Sequence, residues 1–280
     1  MPKLIKSIKK KVVVFDLDET LGYFGQLGRF CNILDNYYVN INKSYSIFNE
    51  LMDLYPEFSR PNIFNILKYL LQKKKEHKCQ AIMIYTNNTG EKKWTEHIKN
   101  YYEYKLNSKI FEQIISAFKI NGRIVEINRT SHEKSVSDFF RCTKLSTDIE
   151  ICFIDDLHHP KMIDDNVYYI HVKGYKHALP VDELISRFLK SSISNDIKNK
   201  DDFKNYVLFN FKHDIVKKSI EEQEIDVIIS KKMLEHIKEF FEKDEQKIEL
   251  RLYNKNQKSF KKNSKTNINN NNKTQKRNKI

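Results

Sequence analysis

Cysteine is scarce in this chain of 280 residues: Cys31, Cys79, Cys142 and Cys152 are scattered, and no Cys-x-x-Cys pair occurs. The common zinc-ribbon and dithiol redox motifs are thereby excluded, and structural thiols in a reducing compartment are expected. Long apolar runs are missing too. No stretch approaches the ~20 apolar residues of a membrane-spanning helix, and the Lys-rich start, Met1 to Lys11, leads directly into a strand instead of a signal-like apolar core. These absences predict a soluble intracellular protein, cytoplasmic or nuclear. Acidic residues are lacking in one place, since residues 251–280 contain ten Lys and Arg and no Asp or Glu. Most of the net charge of +13 therefore belongs to a tail.

That tail has too little to bury. Ordering it would cost roughly 1 to 2 kcal/mol per residue in backbone entropy, while Phe260, Ile268 and Ile280 could return only about 1.5 to 3 kcal/mol each. Residues 251–280 are read as a basic, Asn- and Lys-rich disordered end, with an arm for nucleic acid or an acidic partner as the alternative.

What the chain does have is Val12-Val13-Val14-Phe15-Asp16-Leu17-Asp18-Glu19-Thr20-Leu21. A continuous apolar run reads as a buried parallel strand, and ligands of open α/β sheets sit beyond the carboxyl ends of such strands. Asp16 falls at the tip, with Asp18 two residues on. Two carboxylates so placed can face one phosphoryl group, one attacking and one handling protons. The nucleophile must be ionised, whereas a general acid carries a proton, so Asp18 would need its pKa raised from about 3.9 towards neutrality. Thr20 could orient Asp18 by a hydrogen bond, and Glu19 is expected to face solvent. Asp-x-Asp also binds metals in glycosyltransferases, so this spacing alone leaves the reaction open.

The pattern of a strand ending in a polar tip repeats along the chain. Leu21 to Tyr55 reads as a loop with helices, a candidate lid, and Arg60-Pro61 opens a helix carrying Ile63, Ile66, Leu67, Leu70 and Leu71. Ala81 to Tyr85 is a second strand, ending at Thr86-Asn87-Asn88-Thr89-Gly90. A helix around Trp94 to Tyr102 and a short strand at Phe111 to Ser116 follow, then a β-hairpin turning at Asn121-Gly122. Glu133 to Phe140 is predicted helical, placing Lys134 at a helix start. Ile149 to Ile154 forms a strand stopping at Asp155-Asp156, Val167 to Val172 a further strand, and Val181 to Leu189 a helix. Strands alternating with helices predict an α/β fold, a doubly wound, Rossmann-like parallel sheet over residues 1–190. Residues 191–250, with Met233, Leu234, Ile237, Phe240 and Phe241 at helical spacing, predict a helical appendage.

In order, the polar tips supply Asp16, Asp18 and Thr20, then Thr86 with Asn87, then Lys134, then Asp155 and Asp156. A phosphoryl group attacked by a carboxylate needs hydrogen bonds to its equatorial oxygens, a cation to offset charge, and a divalent metal. Thr86, Asn87 and Lys134 are the candidate phosphate-binding residues. Asp16 with Asp155 or Asp156 could hold Mg²⁺, which suits an all-oxygen ligand set. Lys119 is a rival cation ranked below Lys134. His158 and His159 are adjacent and so poorly placed to chelate one ion, and they are read as loop residues near the site mouth.

Over residues 11–190 this arrangement resembles the haloacid dehalogenase superfamily of phosphohydrolases, whose four motifs are Asp-x-Asp-x-Thr, a strand-end Ser or Thr, a Lys, and an acidic pair. Asp16-Leu17-Asp18-Glu19-Thr20-Leu21, Arg60-Pro61 and Ile84-Tyr85-Thr86 are similar to the branch of RNA polymerase II C-terminal-domain phosphatases and nuclear LIM interactor-interacting-factor-like phosphatases. The resemblance implies a sheet of that type with a small cap or β-hairpin insert, and a Mg²⁺-dependent reaction through an aspartyl-phosphate on Asp16, with Asp18 as acid and base. It also implies the backbone carbonyl of Asp18 as a metal ligand, and phosphoserine or phosphothreonine of a protein as substrate. Two alternatives stay beside it: a phosphatase of a small metabolite or nucleotide, and a non-enzymatic nucleic-acid- or polymerase-associated adaptor acting through the basic tail.

Overall fold

The computed structural model describes residues 9–39, 43–90, 92–211 and 218–243. The expected tail, 251–280, and residues 244–250 of the expected appendage lie outside them. The centre is a five-stranded, all-parallel sheet in the order β3-β2-β1-β6-β7, made of β1 (Lys10–Phe15), β2 (Ala81–Tyr85), β3 (Gln113–Ile115), β6 (Ile149–Asp155) and β7 (Val167–His171). Because β1 is the middle strand, both its faces are covered, and Val12, Val13, Val14 and Phe15 are fully buried. That is why its sequence is an unbroken apolar run and does not alternate. Val12 and Val14 join Met83, Tyr85, Ile151, Phe153 and Phe139 in one core cluster.

Helices connect the strands. Between β1 and β2 lie α1 (Gly25–Tyr37), α2 (Lys43–Ser46), α3 (Phe48–Leu54) and α4 (Ile63–Lys75), the last burying Ile63, Ile66, Leu67 and Leu70 as their spacing predicts. α5 (Lys92–Leu106) joins β2 to β3. The predicted hairpin is present as β4 (Lys119–Ile120) and β5 (Arg123–Ile124), antiparallel, with Asn121 and Gly122 both at positive φ, 49° and 79°. Left-handed conformation at both central residues is the turn that Asn-Gly favours.

α6 (Val136–Thr143) begins later than the sequence suggested. Ser135 accepts a hydrogen bond from the Asp138 N–H at 3.1 Å and so caps the helix, leaving Lys134 on the preceding loop. After β7 come α7 (Val181–Lys190) and α8 (Lys200–Asn210), joined to α1 through stacked and edge-on contacts of Phe30, Phe188, Phe203 and Tyr37. Residues 220–243 are helical. Lys9 to His236 form one compact unit, and Ile237 to Lys243 fall outside it. All four cysteines are buried and free. Among the described residues no helix is long and apolar enough to cross a membrane.

Candidate active site

Three adjacent strands carry their polar tips to one place, because β1 is hydrogen-bonded to β2 on one side and to β6 on the other. The ladder runs one residue past β1 and past β2: Asp16 N–H donates to Ile154 O at 2.9 Å, and Thr86 N–H to Ile115 O at 3.0 Å. Asp16, Thr86 and Asp155 therefore inherit their positions from the sheet. Beyond Asp16 the chain turns sharply, with Glu19 in the left-handed region at φ 58° and its N–H bonded to Gly22 O.

Lys134 enters from the loop before α6 and is almost completely buried. Its Nζ donates to Asp16 Oδ1 and, at 2.6 Å, to Asp155 Oδ2. A buried ammonium must be paired, and here two carboxylates share it. Burial is the main influence on Asp16; with help from neighbouring Asp155 and Asp18 it outweighs the attraction of Lys134 and pushes the pKa up to about 7. Burial also opposes the charge of Asp155, but His159 and Lys134 overcome it and hold that carboxyl below its ordinary value. Asp156 is raised, by burial and by Asp155 beside it.

Asp18 is raised mainly by burial, against the hydrogen bond from Asn88 and the attraction of Lys134. The direction is the one a general acid requires. Asn88, and not Thr20, orients it: Asn88 Nδ2 donates to Asp18 Oδ2 at 2.7 Å. Thr20 turns the other way, donating to Asp156 Oδ1 and accepting from the Asp156 N–H, both at 3.1 Å. The expected Thr20–Asp18 bond is thus replaced by one that ties the first motif to the acidic pair. Thr86 Oγ1 accepts from the Asn88 N–H at 2.9 Å, which leaves its own hydroxyl proton available to a ligand. Asn87 is engaged through Oδ1 by Arg129 at 2.8 Å.

Several residues act here without a sequence signal. Arg129 is 2% exposed, and its guanidinium donates to the carbonyls of Thr86, Ser116 and His132 as well as to Asn87. It joins the tip of β2 to the loop that carries Lys134. Arg60, 1% exposed, does the same on the other side, donating to the carbonyls of Thr20, Glu19 and Lys173. Its place before Pro61 was visible in the sequence, but its carbonyl partners were not. Glu19 does not simply face solvent, since it pairs with Lys176 at 3.5 Å. His159 is buried with Nε2 3.4 Å from Asp155 Oδ2, whereas His158 is exposed, so one of the two expected mouth residues points inward. Lys119 lies on β4 over the Phe118 ring, away from this cluster.

One carboxylate oxygen from each of Asp16, Asp155 and Asp156 falls within 4.8 Å of the others. An all-oxygen, partly buried set of this kind fits a hard divalent cation. Comparison with protein-family models, curated proteins and solved structures finds no match to this chain. The geometry of the chain itself carries the functional reading.

Proposed function

We propose that the protein is a phosphomonoester hydrolase of the haloacid dehalogenase type, with Asp16 as nucleophile and Asp18 as general acid and base. The observation that carries this reading is the shared buried Lys134, bonded to both Asp16 and Asp155 with Asp18 alongside at the ends of parallel strands. Asp16 Oδ attacks phosphorus, the bond to the leaving oxygen breaks, and Asp18 delivers its proton to that oxygen. Asp18 then takes a proton from water as the water attacks the aspartyl-phosphate, releasing phosphate and restoring the Asp16 carboxylate. Thr86 and Lys134 supply a hydroxyl and a positive charge to the phosphoryl oxygens. Mg²⁺ held by Asp16, Asp155 and Asp156, with the Asp18 carbonyl, would supply the positive charge that keeps Asp16 ionised and offsets the phosphate.

The reading is tested with an aryl phosphate and with phosphoserine peptides, with and without Mg²⁺. Asp16→Asn should retain the wild-type circular dichroism and lose turnover by about 10⁴-fold or more; retained turnover would refute the assignment. Phosphoserine or phosphothreonine of a protein is the substrate that the resemblance implies. A small phosphate ester is favoured by a different feature, a cleft lined by residues of α1, α2 and α5 and by Asn88, the residue that holds Asp18.

A further inference from the structure

That cleft is bounded by a helix face of unexpected composition. α1 contributes Gly28, Cys31, Asn32, Asp35 and Asn36 to its lining, a stripe at the spacing that normally carries apolar core residues. Here the stripe is small and polar. Gly28 stands inside a helix, where glycine costs about 1 kcal/mol relative to alanine. A Cβ at Gly28 would lie 3.4 Å from the Trp94 ring, and both residues line the cleft, so a bulky side chain there competes for its space. The volume is ≈ 600 Å³, inside the range of about 300 to 1,000 Å³ for small-molecule sites. The charged lining residues, Asp35 and Lys93, have opposite signs, and Asp35 already accepts from the Ser44 N–H and Oγ at 2.7 and 2.9 Å.

Asn88 connects this cleft to the chemistry. It lines the cleft while its Nδ2 holds Asp18 Oδ2. If Asp18 gives its proton to the leaving oxygen, the leaving group extends from that oxygen along Asn88 and into the cleft.

Resting on the hydrolase reading, we propose that the cleft is the leaving-group subsite, and that it takes the uncharged, ring-bearing alcohol of a nucleoside monophosphate. Asn32 and Asn36, one helical turn apart, offer paired amide donors and acceptors of the kind that match base edges. Trp94 and Tyr45, the latter with one face already stacked on His97, line the cleft with aromatic surface of the kind on which bases stack.

The test has a binding arm and a kinetic arm. Adenosine, which lacks the phosphate, should bind the full-length protein in an NMR titration, and binding should be lost in Gly28→Phe, which fills the cleft. Asn32→Trp, at an exposed position on the same stripe, blocks the cleft without placing bulk against Trp94 and covers the case in which Gly28→Phe fails to fold. In turnover, kcat/KM for AMP or CMP should exceed that for ethyl phosphate by about a hundredfold. Either blocking variant should reduce that ratio by about tenfold or more. The proposal is overturned if adenosine does not bind the wild type or binds the folded blocked variants equally well. It is also overturned if a phosphoserine peptide is preferred over the nucleotides and is insensitive to both substitutions. Adenosine binding that the variants abolish, with no phosphomonoester turned over, would uphold the cleft and refute the hydrolase reading.

Discussion

Arg129 shows how much of this site depends on a residue that touches none of its carboxylates. Its four hydrogen bonds join the loop bearing Thr86 and Asn87 to the loop bearing Lys134, and its guanidinium lies 4.8 Å from the centre of the Tyr85 ring. Removing it leaves the Thr86, Ser116 and His132 carbonyls without this donor; the bond to Thr86 is the buried one, and a buried carbonyl left unpaired costs about 1 to 3 kcal/mol. Arg129→Met should therefore lower the melting temperature and also raise the inhibition constant for inorganic phosphate by about tenfold, because Thr86 and Lys134 lose their common tether. Arg129→Lys, which cannot span all four acceptors, should restore little of either. If phosphate inhibition stayed at the wild-type level while stability fell, Arg129 would be only a structural residue. Asp16, Asp18, Thr86 and Asp155 could be placed together from the sequence because strand tips are written as a one-dimensional pattern; Lys134 was placed at a helix start and stands instead on the loop before α6. Asn88 and Arg129 were not, and His159 was expected only at the site mouth, because their roles depend on how far a side chain reaches across loops. The misassigned Thr20 has the same cause: its neighbour in space is Asp156, 136 residues away.

At the scale of elements, the most consequential boundary is the start of α6. Ser135 both caps the helix and donates its own N–H to the Tyr85 hydroxyl at 3.3 Å, so the residue after Lys134 is fixed at two points. Ser135→Ala should cost about 1 kcal/mol, read as a lower urea midpoint with an unchanged slope, and Ser135→Thr should recover most of the loss. An unchanged midpoint would show that the cap contributes nothing to holding Lys134. The parallel sheet, the helix over 63–75 and the Asn121-Gly122 turn could be read from the sequence because each is set by local periodicity or by a turn that demands particular residues. The start of α6 could not, because Glu133 to Phe140 has acceptable helical propensity throughout. There the decision falls to a single hydroxyl.

At the scale of the molecule, the loop after β7 packs against the helix beginning at 220 through a group of charges around Tyr175. The Lys218 ammonium lies 4.7 Å from the Tyr175 ring centre and pairs with Asp226, while His177 stacks on the ring's side at 6.3 Å. Burial holds the His177 pKa below its ordinary value; Lys218 and Arg187 act in the same direction, and Glu57 and Asp226 oppose them. An imidazole in the unfolded chain takes its proton near pH 6.5, before the folded one does. The stability associated with neutral His177 is thus intact above pH 6.5 and lost as the pH falls through the depressed folded value. Melting temperature should drop more steeply between pH 7 and 5 for the wild type than for His177→Phe; parallel profiles would contradict this. A last consequence follows from the strand order. Lys134 meets Asp16 across 118 residues, and the carboxylates crowd together only when β6 docks beside β1. Such long-range parallel pairing is slow to form. The repulsion among Asp16, Asp155 and Asp156 is therefore met late in folding, and a chain emerging from synthesis can assemble this carboxylate cluster only after β6 has been made.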